Sequence, residues 1–378
     1  VFCLINMMLI TGQIGRVGAG INPPRGQNNV QGVSDVGTSP FTYPGYIPVE
    51  DAENRRKVAK IWGVPFEELD GEKGLSTVEI MQAAYEGKVK AMYIMGENPM
   101  ITDPNLNHTE EAIQKLDFLV VQDIFLTETA QKADVVLPAT TYAEKDGTFS
   151  NTERRVQRLF KAVNAPGQAK HDWEIHQLIA NKLGLNWNYG SFEDIFKEIT
   201  QCTPSYAGMT YERLGRKGLH WPCPTEDHPG TPILHAEKFS RGLGLFHAIE
   251  FQEAFELPDE EYPLILSTGR SLFHYHTGTM TRKAVALDVH QPENVVQVSP
   301  NKAAELGIID GEKVRLTTRR GSIELKAQVT DILNDQVVFT FFHFSEASAN
   351  VLTQAEKLDP VAGIPEYKVC AARLEKIV

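Results

Sequence analysis

Residues 118–137 read FLVVQDIFLTETAQKADVVL. Two valine-rich apolar runs, Phe118–Gln122 and Ala133–Leu137, each have the length of a strand. Asp123 closes the first, and Thr127–Lys132 between them suits a short helix. Continuously apolar strands are those buried on both faces, so the pair predicts a parallel sheet covered by helices. Upstream, VKAMYIM at 89–95 is another such strand, ending on Gly96-Glu97-Asn98-Pro99. Ser76 and Glu79 form a capping box for a helix through Tyr85, which Gly87 closes. Asn107 and Glu110 predict a second helix through Leu116. In open α/β sheets ligands bind beyond the carboxyl ends of the strands. Those ends carry Glu97 and Asn98, Gln122 and Asp123, then Thr140 and Thr141. Ordinary turn chemistry favours similar residues.

Downstream, Ala143–Gln157 (AEKDGTFSNTERRVQ) is polar, a binding segment or a solvated face. A helix is predicted over Trp173–Leu183, with Asp172 as N-cap and Gly184 as stop. Residues 185–258 are weakly patterned and proline-rich, a linker or covering segment. From Tyr262 the apolar period becomes two. Strands are expected at Leu264–Thr268, Asn294–Val298, Lys313–Thr318, Ile323–Val329 and Val337–Phe342. Ser299, Pro300 and Gly307 bracket a short helix. The expected fold is therefore α/β plus β: a doubly wound, mostly parallel sheet domain (1–184), the linking segment (185–258) and a closed β-barrel domain (259–378).

Before the sheet, Gly18–Gly37 reads GAGINPPRGQNNVQGVSDVG and fits neither helix nor strand. Two prolines break regular structure, and glycines permit φ > 0. It is either an ordered loop presenting Arg25, Gln27, Asn28 and Asn29 to a ligand, or a solvated connection. The first ten residues, VFCLINMMLI, read as the inside of a buried helix that begins before residue 1. They are too few to span a membrane.

A net charge of −12 argues against nucleic acid or an anionic membrane as partner. The four cysteines are scattered with no CxxC, so no zinc or iron–sulfur spacing exists here. Their number suits a reducing, cytoplasmic setting ahead of a periplasmic one. No P-loop, GxGxxG after a strand, GxSxG or HExxH occurs. One loop is dense in donors: STGRSLFHYHTGTMTR at 267–282. Its composition suits phosphates or a heterocycle. No acidic or cysteine residue nearby completes a metal site with His274 and His276. A second cluster, with His343, Asn350 and Lys368, lies at 342–368 among aromatics.

GENP at 96–99, VVQDIFLTETAQKADVVLPA at 120–139 and EKDGTFSNTERRVQ at 144–157 resemble the molybdopterin oxidoreductases. The 267–282 loop and FHFSEASANVLT at 342–353 resemble that family's C-terminal barrel, of double-psi type. GRVGAGINPPRGQNNVQG at 15–32 is similar to formate dehydrogenase catalytic subunits. The resemblance implies formate oxidation to carbon dioxide at molybdenum or tungsten held by two pterin guanine dinucleotides. It implies Arg25 as the carboxylate-holding catalytic residue and Gln27 as a pterin contact. Gly96, Glu97, Asn98, Gln122, Asp123, Thr127, Lys145 and Asp172 match positions lining one dinucleotide. Arg270, His274, His276, Thr277, Thr279, Phe342, Asn350 and Lys368 match positions around the dithiolenes and the other dinucleotide. The family's Fe₄S₄ cysteines and its metal-ligating Cys-His or selenocysteine-His pair have no counterpart, so no metal ligand is assigned here. The implied chain is a C-terminal half, inactive alone, working with its N-terminal half and electron-transfer subunits. The alternatives are another enzyme of the family, such as nitrate reductase, and a catalytically silent structural relative.

Overall fold

Ser76 opens the Thr77–Tyr85 helix, its backbone N–H donating to Glu79 Oε2 at 2.7 Å, as the capping box predicts. This is seen in a computed structural model of the protein that describes residues 1–377. The next helix is Leu106–Gln114, and its N-cap is Asn105, not Asn107. Asn105 takes a left-handed backbone, while Asn107 Nδ2 donates to the Arg320 carbonyl at 3.0 Å.

The expected strands form at Ala91–Met95, Phe118–Asp123 and Val135–Pro138. They pair in parallel in sequence order, with Ile94 opposite Val121 and Val121 opposite Val136. Ile94, Leu119 and Val121 pack against Met81, Ala84, Ala112 and Ile113 of the two helices. The second face differs from the doubly wound expectation. Tyr93, Met95 and Phe118 stay 43%, 48% and 46% exposed. Between the second and third strands only Ala130–Lys132 coils, as a 3₁₀ turn, and not Thr127–Lys132. So short a turn cannot lay a helix across that face.

The barrel closes as expected. Its order is Val295–Val298, Gly321–Val329, Lys313–Thr318, Cys370–Lys376, Leu264–Gly269 and Val337–Phe341, returning to the first. Two pairings are parallel and the other four antiparallel. Alternation fills the interior with Val296, Val314, Leu316, Leu325, Val338 and Leu374. The Cys370–Lys376 strand is one the sequence pattern left unassigned. Helix Pro300–Leu306 has Ser299 Oγ accepting from Lys302 N at 3.1 Å and Gly307 left-handed at its end.

By contacts the chain divides into two units, each discontinuous in sequence. Residues 75–138 group with 253–378, so the parallel sheet and the barrel share one unit. Residues 1–74 group with 139–252 in the other. In that unit Gly147–Ser150, Arg155–Leu159 and Leu219–His220 form an antiparallel sheet. Segment 185–258 supplies the Phe192–Cys202 helix, capped by Ser191. Its Phe196 packs with Val156, Tyr206, Tyr211 and Leu214. Helix Asp172–Lys182 begins at Asp172, and His171 occupies the cap position instead. Helix Phe2–Ile10 forms but buries no residue, contrary to expectation; Leu4 and Met7 are 62% and 61% exposed. Its apolar residues run round the whole circumference, and one side meets 247, through Phe2 stacking and Asn6 bonding to His247. Among the described residues no helix is long and apolar enough to cross a membrane.

Candidate functional site

The glycine-rich loop ends in Asn29, whose left-handed backbone (φ 63°) starts helix Val30–Asp35. Asn29 Oδ1 accepts from Ser150 N at 2.8 Å, anchoring the loop to the Gly147–Ser150 strand. A Cβ at Gly32 would lie 2.1 Å from Asn29 Oδ1, so any side chain there would displace the amide that Ser150 N holds. The loop presents Arg25, which is exposed, and Gln27, which is partly buried. Arg25 Nη2 donates to Gln31 Oε1 at 2.9 Å. Gln31 is in turn bonded to the buried Asp35. The sequence reading missed Gln31 and Asp35, although their i,i+4 spacing on one helix places them side by side.

In the same unit Lys145 and Asp172, expected as cofactor contacts, form an ion pair. Lys145 also donates to the Thr140 carbonyl at 3.2 Å. Both line a cavity of about 210 Å³ whose walls include Trp173, Phe192, Phe196 and Tyr211. Aromatic walls with a paired donor and acceptor suit a flat heterocycle that has both kinds of edge. Trp173 Nε1 is buried and has no partner among the described residues.

In the other unit the strand ends converge, but mostly on one another. Gly96 N donates to the Gln122 carbonyl at 2.9 Å. Asn98 is 4% exposed; its Oδ1 accepts from Thr129 N and Oγ1, and its Nδ2 donates to Glu128 at 2.8 Å. Gln122 is fully buried and bonded to Tyr93 OH. Asp123 Oδ1 accepts from Ile124 N at 2.6 Å, and Thr127 Oγ1 from Ala130 N at 3.1 Å. Glu97 stands exposed at the strand end. Nearby Asp103, 4% exposed, has its carboxyl pushed up to about 7 by burial and by Glu97, against the Thr102 hydroxyl.

A second cavity in this unit, about 260 Å³, is lined by Thr127, Thr277, Gly278, Thr279, Lys283 and Ser345, among others. Hydroxyls and an ammonium group suit phosphate oxygens. Arg282, also on its wall, is engaged by Asp288 and Glu346. His274 turns both ring nitrogens inward, to Gln291 O at 2.7 Å and Thr281 Oγ1 at 3.2 Å. It therefore holds the loop's shape. Asn350 does likewise, donating to the Ile101 and Thr102 carbonyls at 2.8 and 3.1 Å. Arg270 and Lys368 lie over the Phe342 ring at 5.7 and 5.8 Å, with His276 edge-on to it at 5.8 Å. Burial and Arg270 push the pKa values of His276 and Lys368 down. Among the described residues no group of three His, Cys, Asp or Glu is placed to hold a metal.

Residues 1–182 match the family model of the molybdopterin oxidoreductases, and 264–371 that of the molybdopterin dinucleotide binding domain. The chain is 50% identical over 376 residues to the F420-dependent formate dehydrogenase 1 subunit alpha of Methanococcus maripaludis, covering 98% of this chain and 55% of that protein. It is 38% identical to the assimilatory nitrate reductase catalytic subunit of Bacillus subtilis, covering 98% and 54%. The chain thus spans about half the length of the curated relatives it matches. Among solved structures, acetylene hydratase from Pelobacter acetylenicus shares the fold, with a TM-score of 0.64 at 19% identity over 91% of this chain and 52% of that one.

Proposed function

We propose, because this chain belongs to the molybdopterin oxidoreductase family, that it works as part of a formate dehydrogenase catalytic subunit. The carrying observation is Arg25, exposed on an anchored loop with one guanidinium nitrogen tethered to Gln31. A guanidinium has five N–H donors in a planar fork. With one engaged, the remainder are available to a carboxylate such as formate. Arg25 would hold formate by its oxygens and so point its C–H bond away from the cation, in one orientation.

The residues present fit a pterin dinucleotide. Lys145 and Asp172, beside the Trp173 and Phe192 rings, suit a guanine ring; Thr127, Thr277, Thr279 and Lys283 suit phosphate oxygens. Gln27 would contact a pterin, and Arg270, His276, Phe342 and Lys368 would face a dithiolene or its phosphate. The bound cofactor, carrying molybdenum or tungsten, would accept the two electrons released as formate becomes carbon dioxide and a proton. Four free thiols support a reducing, cytoplasmic setting. The Fe₄S₄ cluster, the metal's protein ligand and the electron-transfer partners would be supplied by the rest of the enzyme.

Loading the complete subunit with cofactor and following formate-dependent dye reduction tests the reading. Arg25→Ala should lower kcat/KM for formate at least a hundredfold. Unchanged kinetics would overturn it. The match to a nitrate reductase makes nitrate the second reading, and nitrate-dependent dye oxidation in the same preparation separates the two.

A further inference from the structure

We propose that Gln31 and Asp35 are positioning residues for Arg25, and that the buried Asp35 carboxylate decides which end of the Gln31 amide faces the guanidinium. This rests on the reading of Arg25 as the formate-holding group. Asp35 is 1% exposed and Gln31 5%. Gln31 Nε2 donates to Asp35 Oδ1 at 2.9 Å and to Tyr46 OH at 2.8 Å. The Tyr46 hydroxyl donates to Asp35 Oδ1 at 2.8 Å, and the Tyr206 hydroxyl donates to Asp35 Oδ2. Ser150 Oγ lies 2.7 Å from Tyr206 OH and completes the cluster.

The polarity of this chain of bonds has one solution. A carboxylate only accepts. The amide must therefore turn its NH₂ inward to Asp35, which leaves Oε1 for Arg25 Nη2. A flipped amide would set acceptor against acceptor inside and donor against donor at Arg25. Both ends would then be unsatisfied, and the inner one is buried. Tyr46 sits at φ 62°, a left-handed backbone that a bulky residue keeps only when its surroundings hold it there. It follows Gly45 in the turn between strands Thr42–Tyr43 and Ile47–Pro48, and its hydroxyl is bonded to Gln31 and Asp35. The result is a long, exposed, flexible side chain fixed at one nitrogen. Fixing it beforehand removes ordering that formate binding would otherwise have to supply.

The test uses the complete, cofactor-loaded subunit together with chemical modification of this chain. In Gln31→Leu the formate KM should rise about tenfold, with kcat within about threefold of wild type. The rate at which phenylglyoxal modifies Arg25, read by peptide mass spectrometry, should rise several-fold. Gln31→Glu alone sets two carboxylates together and should also raise KM. Gln31→Glu combined with Asp35→Asn restores the donor–acceptor order, and should bring both KM and the modification rate back towards wild type. A Gln31→Leu protein that melts like wild type and keeps both its KM and its Arg25 modification rate overturns the proposal. So does a double variant no better than Gln31→Glu. If Arg25→Ala leaves formate kinetics untouched, the formate reading fails instead, and the modification rates still decide the tether.

Discussion

His343 Nε2 accepts the backbone N–H of Ser271 at 2.7 Å, while Nδ1 donates to the carbonyl of His276. One fully buried imidazole thereby clasps two points five residues apart within the donor-rich loop, and its two bonds require the neutral form with the proton on Nδ1. A proton on Nε2 would face a donor.

Burial pushes the His343 pKa down to about 4. The folded protein therefore excludes a proton that the unfolded chain takes up below about 6.5. Stability from this residue is complete above that value and is lost as pH falls from about 6.5 to 4. Denaturant titrations at pH 7 and pH 5 should show the loss, and His343→Gln should show a smaller one. Amide exchange at 271–278 should quicken in the same variant; equal exchange would contradict the clasp.

Asp103 behaves in the opposite sense. Its carboxyl is raised to about 7 by burial and by Glu97, so the folded state holds a proton that the unfolded chain releases above about 4. Stability from Asp103 is therefore lost as pH rises from about 4 to 7. Asp103→Asn should be the more stable protein at pH 8, by about 1–3 kcal/mol, and indistinguishable at pH 4. Calorimetry at both values checks the crossing.

The cavity beside Trp173 should take a guanine ring. Titrating GMP into the protein should quench tryptophan fluorescence, and Trp173→Phe should abolish the change. Asp172→Ala should weaken GMP about tenfold, the loss of one charge-assisted contact. Adenosine monophosphate binding as well as GMP would remove the argument from the ion pair.

Phe196 anchors a core that sequence patterning passed over. It is 3% exposed, and its ring lies tilted against Tyr211 at 5.3 Å and Tyr206 at 6.4 Å. Phe196→Ala should cost about 3–5 kcal/mol, read as a lower denaturant midpoint. A shift below about 1 kcal/mol would mean that the site collapses around the smaller side chain.

What could be read in the residue order follows the range of the interactions. Ser76 with Glu79, and Ser299 with Pro300 and Gly307, lie within one to eight residues of each other, and both helices start where those signals stand. Period-two alternation likewise located five of the six barrel strands, since a strand's burial pattern belongs to its own residues. Lys145 and Asp172 were singled out by family likeness, and the fold brings them together as an ion pair. The helix at 192–202 was passed over among prolines and weak patterning, although Ser191 caps it and Phe192, Ile195, Phe196 and Ile199 recur at helical spacing.

Long-range partners had no such signal. Local chemistry places Gln31 and Asp35 on one helix turn, but Tyr206 is 171 positions from the carboxylate it caps, and nothing in either stretch names the other. The same holds for His274 and Asn350, whose polar atoms look like ligand contacts in a linear chain. Folding spends them on the carbonyls of Gln291, Ile101 and Thr102. Arg25 lay in plain view from the outset, in a loop too rich in glycine and proline for regular structure. The direction in which its guanidinium is held depends on a buried carboxylate satisfied by Tyr46, 11 positions on, and by Tyr206, 171 positions away, and such satisfaction exists only once water has been excluded around it.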